Sequence, residues 1–192
     1  KCKEREGELN NFNLSVGLTE RFMRAVEDDE QYSLITPHTE EETGTLRAGE
    51  VFWLLAQKAW ERGDPGIIFL DRINRDNPTP SLGEIESTNP CGEQPLLPYE
   101  ACNLGSINLA RFYSLQDGDG VNWEGLRETI ELSVRFLDNV IDASVYPLQK
   151  IQEMVRANRK IGLGIMGWAD LLYQLRTPYD SQGALELGEK VM

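Results

Sequence analysis

The sequence predicts an α/β fold with largely parallel strands. Short apolar runs typical of buried strands occur at residues 67–70, 106–109 and 161–165. They alternate with longer segments whose apolar residues recur every three to four positions, as in helices that bury one face. Because parallel strands need a crossover connection, this alternation favours helices packed on a mostly parallel sheet. A chain of 192 residues is long enough for one domain with a hydrophobic core.

The first half of the chain alternates strand and helix signals. The predicted strands are residues 11–16, 31–36 and 67–70, and the predicted helices are residues 20–28 and 47–62. Thr19 is suited to cap the first helix, because its hydroxyl can accept a hydrogen bond from a free backbone N–H. Polar residues, proline and glycine predict a turn region at residues 37–45 and a loop at residues 71–83.

The second half contains the clearest helix. Asn122 is its predicted N-cap and Pro147 lies beyond its end, and its apolar period is carried by Leu126, Ile130, Val134, Leu137 and Ile141. Further predicted helices are residues 148–158, residues 168–175 and a last one from Ser181, with strands at residues 106–109 and 161–165. The strand–helix order therefore continues to the end of the sequence.

The chain is acidic, with 19 Lys and Arg against 32 Asp and Glu and a net charge of −13. This balance disfavours a surface for nucleic acid or an anionic membrane. No apolar run approaches the roughly 20 residues of a membrane span, and the start lacks the apolar centre of a signal peptide. We therefore expect a cytoplasmic protein with free thiols. The sequence starts without methionine and stops within a predicted helix, which indicates a piece of a longer protein.

Residues 88–109 hold the residues best suited to chemistry. Cys91 has Asn89 two residues before it and Glu93 two residues after it, and Cys102 follows. Prolines and glycines argue against a helix, and extended backbone would place the first three side chains on one side. Three roles remain open on spacing alone: a nucleophile, which the negative Glu93 opposes; a hydrogen-atom donor beside a general base; and a structural disulfide.

Other motifs favour structural interpretations. Gly162, Gly164 and Gly167 spell G-x-G-x-x-G, but little room for a preceding strand and no second strand after it favour close strand–helix packing over a dinucleotide site. The single histidine, His38, lies in a polar loop, so neither a zinc ligand set nor a Ser-His-Asp triad is predicted. We interpret Cys2 as an incidental thiol.

Two pairs of opposite charges precede the cysteine-containing stretch. Asp71 adjoins Arg72, and Arg75 adjoins Asp76. They are interpreted either as a surface ion-pair cluster or as groups that position the neighbouring loop.

The stretch resembles the finger loop of ribonucleotide reductases, with N-P-C-G-E-Q-P-L-L-P-Y-E at residues 89–100 and C-N-L-G-S-I-N-L at residues 102–109. The N-x-C-x-E core is shared by catalytic subunits of several classes. The N-P-C-G-E form, with a second cysteine 11 residues after Cys91, is similar to the adenosylcobalamin-dependent class II. Residues 1–16, 63–80 and 158–172 also resemble its central segments, so the resemblance extends along essentially the whole chain.

The resemblance implies a ten-stranded α/β barrel of two parallel half-barrels with the finger loop at its centre, and residues 1–192 as its central to C-terminal-half segment. It implies that adenosylcobalamin provides the radical that removes hydrogen from Cys91, whose thiyl radical takes the ribose 3′ hydrogen. Glu93 would accept the 3′-hydroxyl proton and Asn89 would bind the ribose hydroxyls. Cys102 would be one of two thiols that end as a disulfide. No metal ligand is implied.

The implied activity is reduction of ribonucleotides to 2′-deoxyribonucleotides. The implied partners are a ribonucleotide substrate, a nucleotide effector bound by regions outside this chain and a thioredoxin-like reductant, and a homodimer is left open. Because the partner thiol and the substrate phosphate loop are expected elsewhere, the segment alone should be inactive. Two alternatives stay open: a class I large subunit, which takes its radical from a separate metal-containing subunit, and a non-catalytic truncated relative that serves assembly or binding.

Overall fold

The computed structural model describes residues 11–192, so Cys2 lies outside the described residues. The chain divides into two compact units, the first ending at Pro98 and the second spanning Tyr99–Met192. Each unit mixes helices with strands, which confirms the predicted α/β class.

The first unit contains six strands and three α-helices within its described residues. They are β1 (Ser15–Leu18), α1 (Glu20–Glu27), β2 (Gln31–Ile35), β3 (Glu42–Arg47), α2 (Ala48–Arg62), β4 (Gly66–Phe69), α3 (Leu70–Arg75), β5 (Ser87–Thr88) and β6 (Pro95–Leu96). β1 pairs with β4 in parallel, whereas β2 with β3 and β5 with β6 form antiparallel pairs. A short 3₁₀ turn, Pro80–Leu82, lies between α3 and β5.

Local capping explains where the helices of this unit begin and end. The Thr19 hydroxyl accepts a hydrogen bond from the Phe22 backbone N–H, which confirms the predicted N-cap of α1. The Asp71 carboxylate accepts a second bond from the Glu20 N–H at 2.6 Å, so α3 holds the start of α1. Gly63 ends α2 in the left-handed conformation that glycine adopts without a Cβ penalty.

The second unit contains two strands and four α-helices. They are β7 (Asn103–Asn108), α4 (Trp123–Ala143), α5 (Gln149–Asn158), β8 (Ile161–Met166), α6 (Trp168–Gln174) and α7 (Gln182–Val191). β7 and β8 pair in parallel, and the register runs from Asn103 opposite Ile161 to Asn108 opposite Met166. The core is formed by Ile107, Leu109, Val121, Leu126 and Leu171. α4 is long enough at 21 residues but carries too many charges to cross a bilayer, and none of the other described helices could cross one either.

The glycine motif packs a strand against a helix, as predicted. Gly162 and Gly164 lie inside β8, so they form no phosphate-binding loop after the strand. Gly167 caps α6 with φ at 69°, and a Cβ there would collide with the Asn108 side chain. Only glycine combines that backbone conformation with so close an approach.

The sequence-based predictions were wrong for two elements, and the prediction of largely parallel strands was only half right. β3 forms at the end of the region predicted as a turn and reaches the first residue of the next predicted helix, because it pairs with β2 in an antiparallel ladder that has one irregularity, between Leu34 and Ile35. α3 begins at Leu70, the last residue of a predicted strand, and continues into the predicted loop, with Leu70 and Ile73 as a short apolar face. Two of the four strand pairs are antiparallel, so the strands are mixed rather than largely parallel.

Candidate active site

A two-stranded hairpin presents the residues predicted to carry the chemistry. β5 and β6 pair with Ser87 opposite Leu96 and Thr88 opposite Pro95. Next to the last pair, the Asn89 N–H donates to the Gln94 carbonyl at 3.1 Å. The six residues from Asn89 to Gln94 therefore form the tip of the hairpin, which we call the hairpin loop.

The Asn89 side chain organises this loop from inside. Its amide oxygen accepts hydrogen bonds from the Gly92 N–H at 3.2 Å and the Gln94 N–H at 2.9 Å. The Asn89 backbone carbonyl accepts a further bond from the Gly92 N–H at 3.0 Å, which closes a tight turn. Gly92 has φ at 89°, a conformation that glycine adopts without strain. Both hydrogen bonds to the Asn89 amide oxygen thus come from within the loop, whereas its NH₂ group donates no hydrogen bond to any of residues 11–192.

The expected extended backbone at Asn89, Cys91 and Glu93 is wrong. Residues 89–92 form a turn, because the i to i+3 hydrogen bond at Gly92 competes with strand geometry. All three residues lie in the same six-residue hairpin loop. Cys91 is an exposed free thiol and Glu93 is exposed as well.

Asn74 of α3 anchors the segment that leads into the hairpin. Its amide oxygen accepts from the Ile85 N–H at 2.7 Å, and its NH₂ group donates to the Ile85 carbonyl at 2.9 Å. The NH₂ group also donates to the Leu70 carbonyl at 3.1 Å, within the same helix. Ile85 and Leu97, which flank the hairpin, are buried. Sequence reasoning missed Asn74, because an asparagine in an apparent loop has no distinguishing pattern.

An open cleft lies beside the hairpin loop within the first unit. It has a cavity volume of about 380 Å³ and is bordered by Asn89 and Pro90 on one side. The remaining lining comes from β1 and the residues before it, from β4 and from the hairpin: Asn11, Phe12, Asn13, Ser15, Gly17, Ile68, Glu86, Ser87 and Thr88. Amide, hydroxyl and apolar groups on one concave surface suit a small polar ligand with an apolar part.

Cys102 belongs to the second unit, where it immediately precedes β7 and is half-buried. Two residues before it, the Glu100 carboxylate is buried and contacts Asn158 and Lys160. Sequence reasoning assigned no role to Glu100, because a single acid between two apolar segments reads as an ordinary surface charge.

The charged residues of α3 have separate roles. Arg75 and Asp76 form an exposed ion pair, and hydrogen bonding to Arg75 lowers the pKa of the Asp76 carboxyl. Asp71 instead caps α1, so this acid is structural. His38 is exposed in a turn. Within residues 11–192, no group of three His, Cys, Asp or Glu side chains is arranged to hold a metal ion.

The fold and the loop together define a class of protein: an α/β protein that presents a thiol beside a carboxylate and an amide on one hairpin. The sequence matches the family model described as ribonucleotide reductase, barrel domain, over residues 1–192. The chain therefore belongs to the ribonucleotide reductase family, as its resemblance to that family predicted.

Curated relatives agree with this assignment. A vitamin B12-dependent ribonucleoside-diphosphate reductase of Thermoplasma acidophilum is 51% identical over 184 residues, which is 96% of this chain and 24% of that protein. One of the same description from Mycobacterium tuberculosis is 53% identical over 189 residues, or 98% of this chain and 27% of that protein. The ribonucleoside-diphosphate reductase subunit alpha of Chlamydia trachomatis is 38% identical over 158 residues, which is 77% of this chain and 15% of that protein. The chain spans about a quarter of the length of the first two relatives.

Proposed function

We propose that the enzyme to which this chain contributes reduces ribonucleotides to 2′-deoxyribonucleotides by thiyl-radical chemistry. The observation that carries the proposal is the hairpin loop, in which Asn89, Cys91 and Glu93 share six residues. The identity of 51–53% to proteins described as vitamin B12-dependent ribonucleoside-diphosphate reductases supports it.

Three residues of the loop, together with Cys102, have a defined task in this proposal. Cys91 loses a hydrogen atom from its sulfur, and the resulting thiyl radical takes the 3′ hydrogen of the ribose. Glu93 accepts the proton of the 3′-hydroxyl as general base, which assists departure of the 2′-hydroxyl as water. The NH₂ group of Asn89 donates to a ribose hydroxyl, while its oxygen keeps the loop closed. Cys102 is one of two thiols that supply two electrons and end as a disulfide.

Adenosylcobalamin is the proposed cofactor. Two relatives that are 51% and 53% identical to this chain are described as vitamin B12-dependent, which supports this choice. When bound, adenosylcobalamin supplies a hydrogen-abstracting radical. The chain's own contribution is the sulfur that gives up the hydrogen atom and the loop that fixes its place.

A thiyl radical has to be kept from water, because a site that excludes water prevents side reactions of the radical. We propose that the complete domain is a ten-stranded α/β barrel of two parallel half-barrels, with the hairpin loop at its centre. Residues 1–192 would form its central to C-terminal-half segment. The parallel pairs β1–β4 and β7–β8 support this architecture.

Further partners follow from the same proposal. A ribonucleotide is the substrate, a thioredoxin-like protein is the reductant, and a nucleotide effector binds to regions outside this chain. A homodimer and a cytoplasmic location complete the proposal. The cleft beside Asn89 supports a polar ligand next to the loop.

A class I large subunit is the second candidate. The 38% identity to a protein described as a ribonucleoside-diphosphate reductase subunit alpha supports this alternative. The two differ in radical source. Deoxynucleotide formation by the complete protein with adenosylcobalamin and without a second subunit supports the first proposal. Activity that needs a second, metal-containing subunit supports class I instead. Absence of activity with either radical source, together with retained nucleotide binding, supports a non-catalytic relative.

The Cys91→Ser variant tests the mechanism. We expect deoxynucleotide formation to fall to background, because a serine hydroxyl keeps the size and polarity of the side chain but holds its hydrogen too strongly to form the radical. The measurement is conversion of ribonucleotide to deoxyribonucleotide by the complete enzyme. Cys2→Ser is the matched control and should retain wild-type conversion. Turnover in the Cys91 variant at the wild-type rate contradicts the proposal.

A further inference from the structure

The cleft beside the hairpin loop lies between two separate strand pairs. Ser15, Gly17 and Ile68 come from the β1–β4 pair, and Ser87 and Thr88 come from β5 of the hairpin. Within residues 11–192, backbone ladders hold each pair together but do not connect one pair to the other. The distance between the two walls of the cleft therefore depends on contacts outside these ladders.

The first turn of α3 is fixed to the β1 wall. The Leu70 side chain lies over Gly17, so closely that a Cβ at Gly17 would be 2.5 Å from the Leu70 Cδ1. The Asp71 carboxylate accepts a hydrogen bond from the Glu20 N–H at 2.6 Å, at the start of the helix that follows β1. α3 also continues directly from β4. The β1–β4 pair and this turn are thus held together.

Farther along α3, Asn74 fixes the helix to the hairpin wall. Its amide oxygen accepts from the Ile85 N–H at 2.7 Å, and its NH₂ group donates to the Ile85 carbonyl at 2.9 Å. The NH₂ group also donates to the Leu70 carbonyl at 3.1 Å, which ties the amide to the first turn of its own helix. Three hydrogen bonds in different directions define one orientation of a planar amide. Asn74 therefore connects the segment before β5 to the turn that lies over Gly17.

A continuous run of backbone hydrogen bonds leads from Ile85 to the hairpin loop. The first joins the residue after Ile85 to β6 at 3.3 Å, and the two residue pairs of β5 and β6 follow. The Asn89 N–H then donates to the Gln94 carbonyl at 3.1 Å, and the Gly92 N–H donates to the Asn89 carbonyl at 3.0 Å. Cys91 lies between Asn89 and Gly92, so the anchored segment holds the backbone on both sides of the thiol.

We propose that Asn74 is a positioning residue for Cys91, which it holds through α3 at a fixed distance from the β1 wall of the cleft. The inference rests on the proposed function, in which the Cys91 thiyl radical takes the 3′ hydrogen of the ribose. That step breaks the C–H bond, forms an S–H bond and leaves the unpaired electron on carbon, so sulfur and hydrogen have to be in contact. A displacement of about 1 Å can lower such a rate on the order of 100-fold. For a ribose bound in the cleft, α3 sets its distance from the sulfur.

Asn74→Ala in the complete enzyme tests the inference. The change frees Ile85 from α3 and leaves the sequence of the hairpin loop intact. We expect kcat to fall between about 10- and 100-fold with KM for ribonucleotide changed less than about twofold. With ribonucleotide deuterated at the 3′ carbon, the isotope effect on kcat should rise above that of the wild type, because hydrogen transfer becomes the slow step. Asn77→Ala removes amide contacts with Gly83 and Thr79, and this matched control should keep the wild-type kcat and isotope effect.

The isotope effect separates positioning from loss of folded enzyme. Partial unfolding lowers kcat in proportion to the folded fraction and leaves the isotope effect unchanged. That result overturns the inference, as does a folded variant with wild-type kcat. If Asn74→Ala does not fold, Asn74→Asp provides the same comparison, because its carboxylate still accepts from the Ile85 N–H and loses only the donated bonds.

Hydrogen exchange at the amides of the hairpin loop measures the anchoring without turnover. We expect faster exchange in Asn74→Ala than in the wild type, since the loop is no longer tied to α3. Unchanged exchange overturns the anchoring itself. A wild type that makes no deoxynucleotide, with faster exchange in Asn74→Ala, contradicts the proposed function and leaves the anchoring by Asn74 standing.

Discussion

At the scale of the residue, Asn89 has a structural task, and the proposed function adds a chemical one in the same amide group. The oxygen holds the hairpin loop through two backbone N–H groups, and the NH₂ group, which makes no hydrogen bond within residues 11–192, is the proposed donor to the ribose. An asparagine is suited to this, because it offers acceptor and donor at opposite ends of a planar group. The sequence predicted the residue as a ribose ligand and missed its role in the turn.

Two substitutions of Asn89 should separate these tasks. Asn89→Asp keeps an acceptor for the Gly92 and Gln94 N–H groups and loses the donor, so the loop should stay closed. We expect deoxynucleotide formation to fall about fivefold or more, since a hydrogen bond to substrate contributes about 1 kcal/mol or above. Asn89→Ala loses both functions and should also open the loop. Hydrogen exchange at the Gly92 and Gln94 amides, measured beside activity, distinguishes the variants. An Asp variant with full activity would limit Asn89 to a structural role.

Asp119 shows how a surface carboxylate becomes sensitive to acid. It accepts hydrogen bonds from Lys190 at 2.7 Å and from the Trp123 indole at 2.8 Å, and the Lys190 ammonium lies 4.0 Å from the Trp123 ring centroid. Hydrogen bonding to Lys190 and then to Trp123 lowers the pKa of Asp119 from 3.8 to about 2. The folded state therefore binds the proton more weakly than the unfolded chain does.

This shift predicts an acid-dependent loss of stability. With the folded pKa below the unfolded one, the stabilisation is fully present above pH 3.8 and disappears as the pH falls towards 2. The thermal midpoint of the wild type should drop more between pH 4 and pH 2 than that of Asp119→Asn, which cannot titrate. The measurement is a series of thermal melts by circular dichroism. Glu153→Gln, which removes another exposed carboxylate of this unit, serves as control. Parallel pH profiles for wild type and Asp119→Asn would contradict the assignment.

At the scale of the element, the hairpin depends on α3. The amide of Asn74 replaces the strand partner that Ile85 would otherwise need, and the next strand begins two residues later. A side chain that satisfies both backbone groups of one residue fixes both its position and its orientation. The helix that sequence reasoning missed is therefore the one that holds the hairpin.

Loss of the Asn74 amide should loosen the hairpin. We expect Asn74→Ala to lower the local opening free energy by about 1–3 kcal/mol, because it leaves two half-buried backbone groups without partners. Hydrogen exchange of the peptide covering residues 84–98 measures this change. Asn77→Ala is the matched control, since its amide contacts Gly83 and Thr79 instead. Equal protection of the peptide in wild type and in Asn74→Ala would show that Ile85 is held by packing alone.

The limits of prediction are clearest for the elements themselves. α4 follows from its Asn122 cap and its apolar period, and α2 from its apolar period and the glycine after it, because those signals are local. β3 carries polar residues, one glycine and one leucine, so its strand state comes from pairing with β2. α3 is too short for a period to be recognised.

At the scale of the whole molecule, the α/β class was predictable, whereas the turn that joins Asn89, Cys91 and Glu93 was not. The alternation of strands and helices can be read from the pattern of apolar residues along the sequence. The turn at residues 89–94, by contrast, depends on one side-chain oxygen that accepts hydrogen bonds from two backbone N–H groups. The contacts of the buried Glu100 with Asn158 and Lys160 were out of reach for another reason. The ion pair joins residues 60 positions apart, and a single sequence gives no pairing signal over such a distance.

That separation sets an order of events during synthesis. The bond between Asn89 and Gln94 spans five residues, so the cysteine of the hairpin can take its place soon after it leaves the ribosome. The Glu100 carboxylate has to wait until Lys160 has been translated. In the interval the ribosome carries a chain in which the turn around Cys91 can already be closed, while the acid that will be buried in the second unit still lacks its lysine.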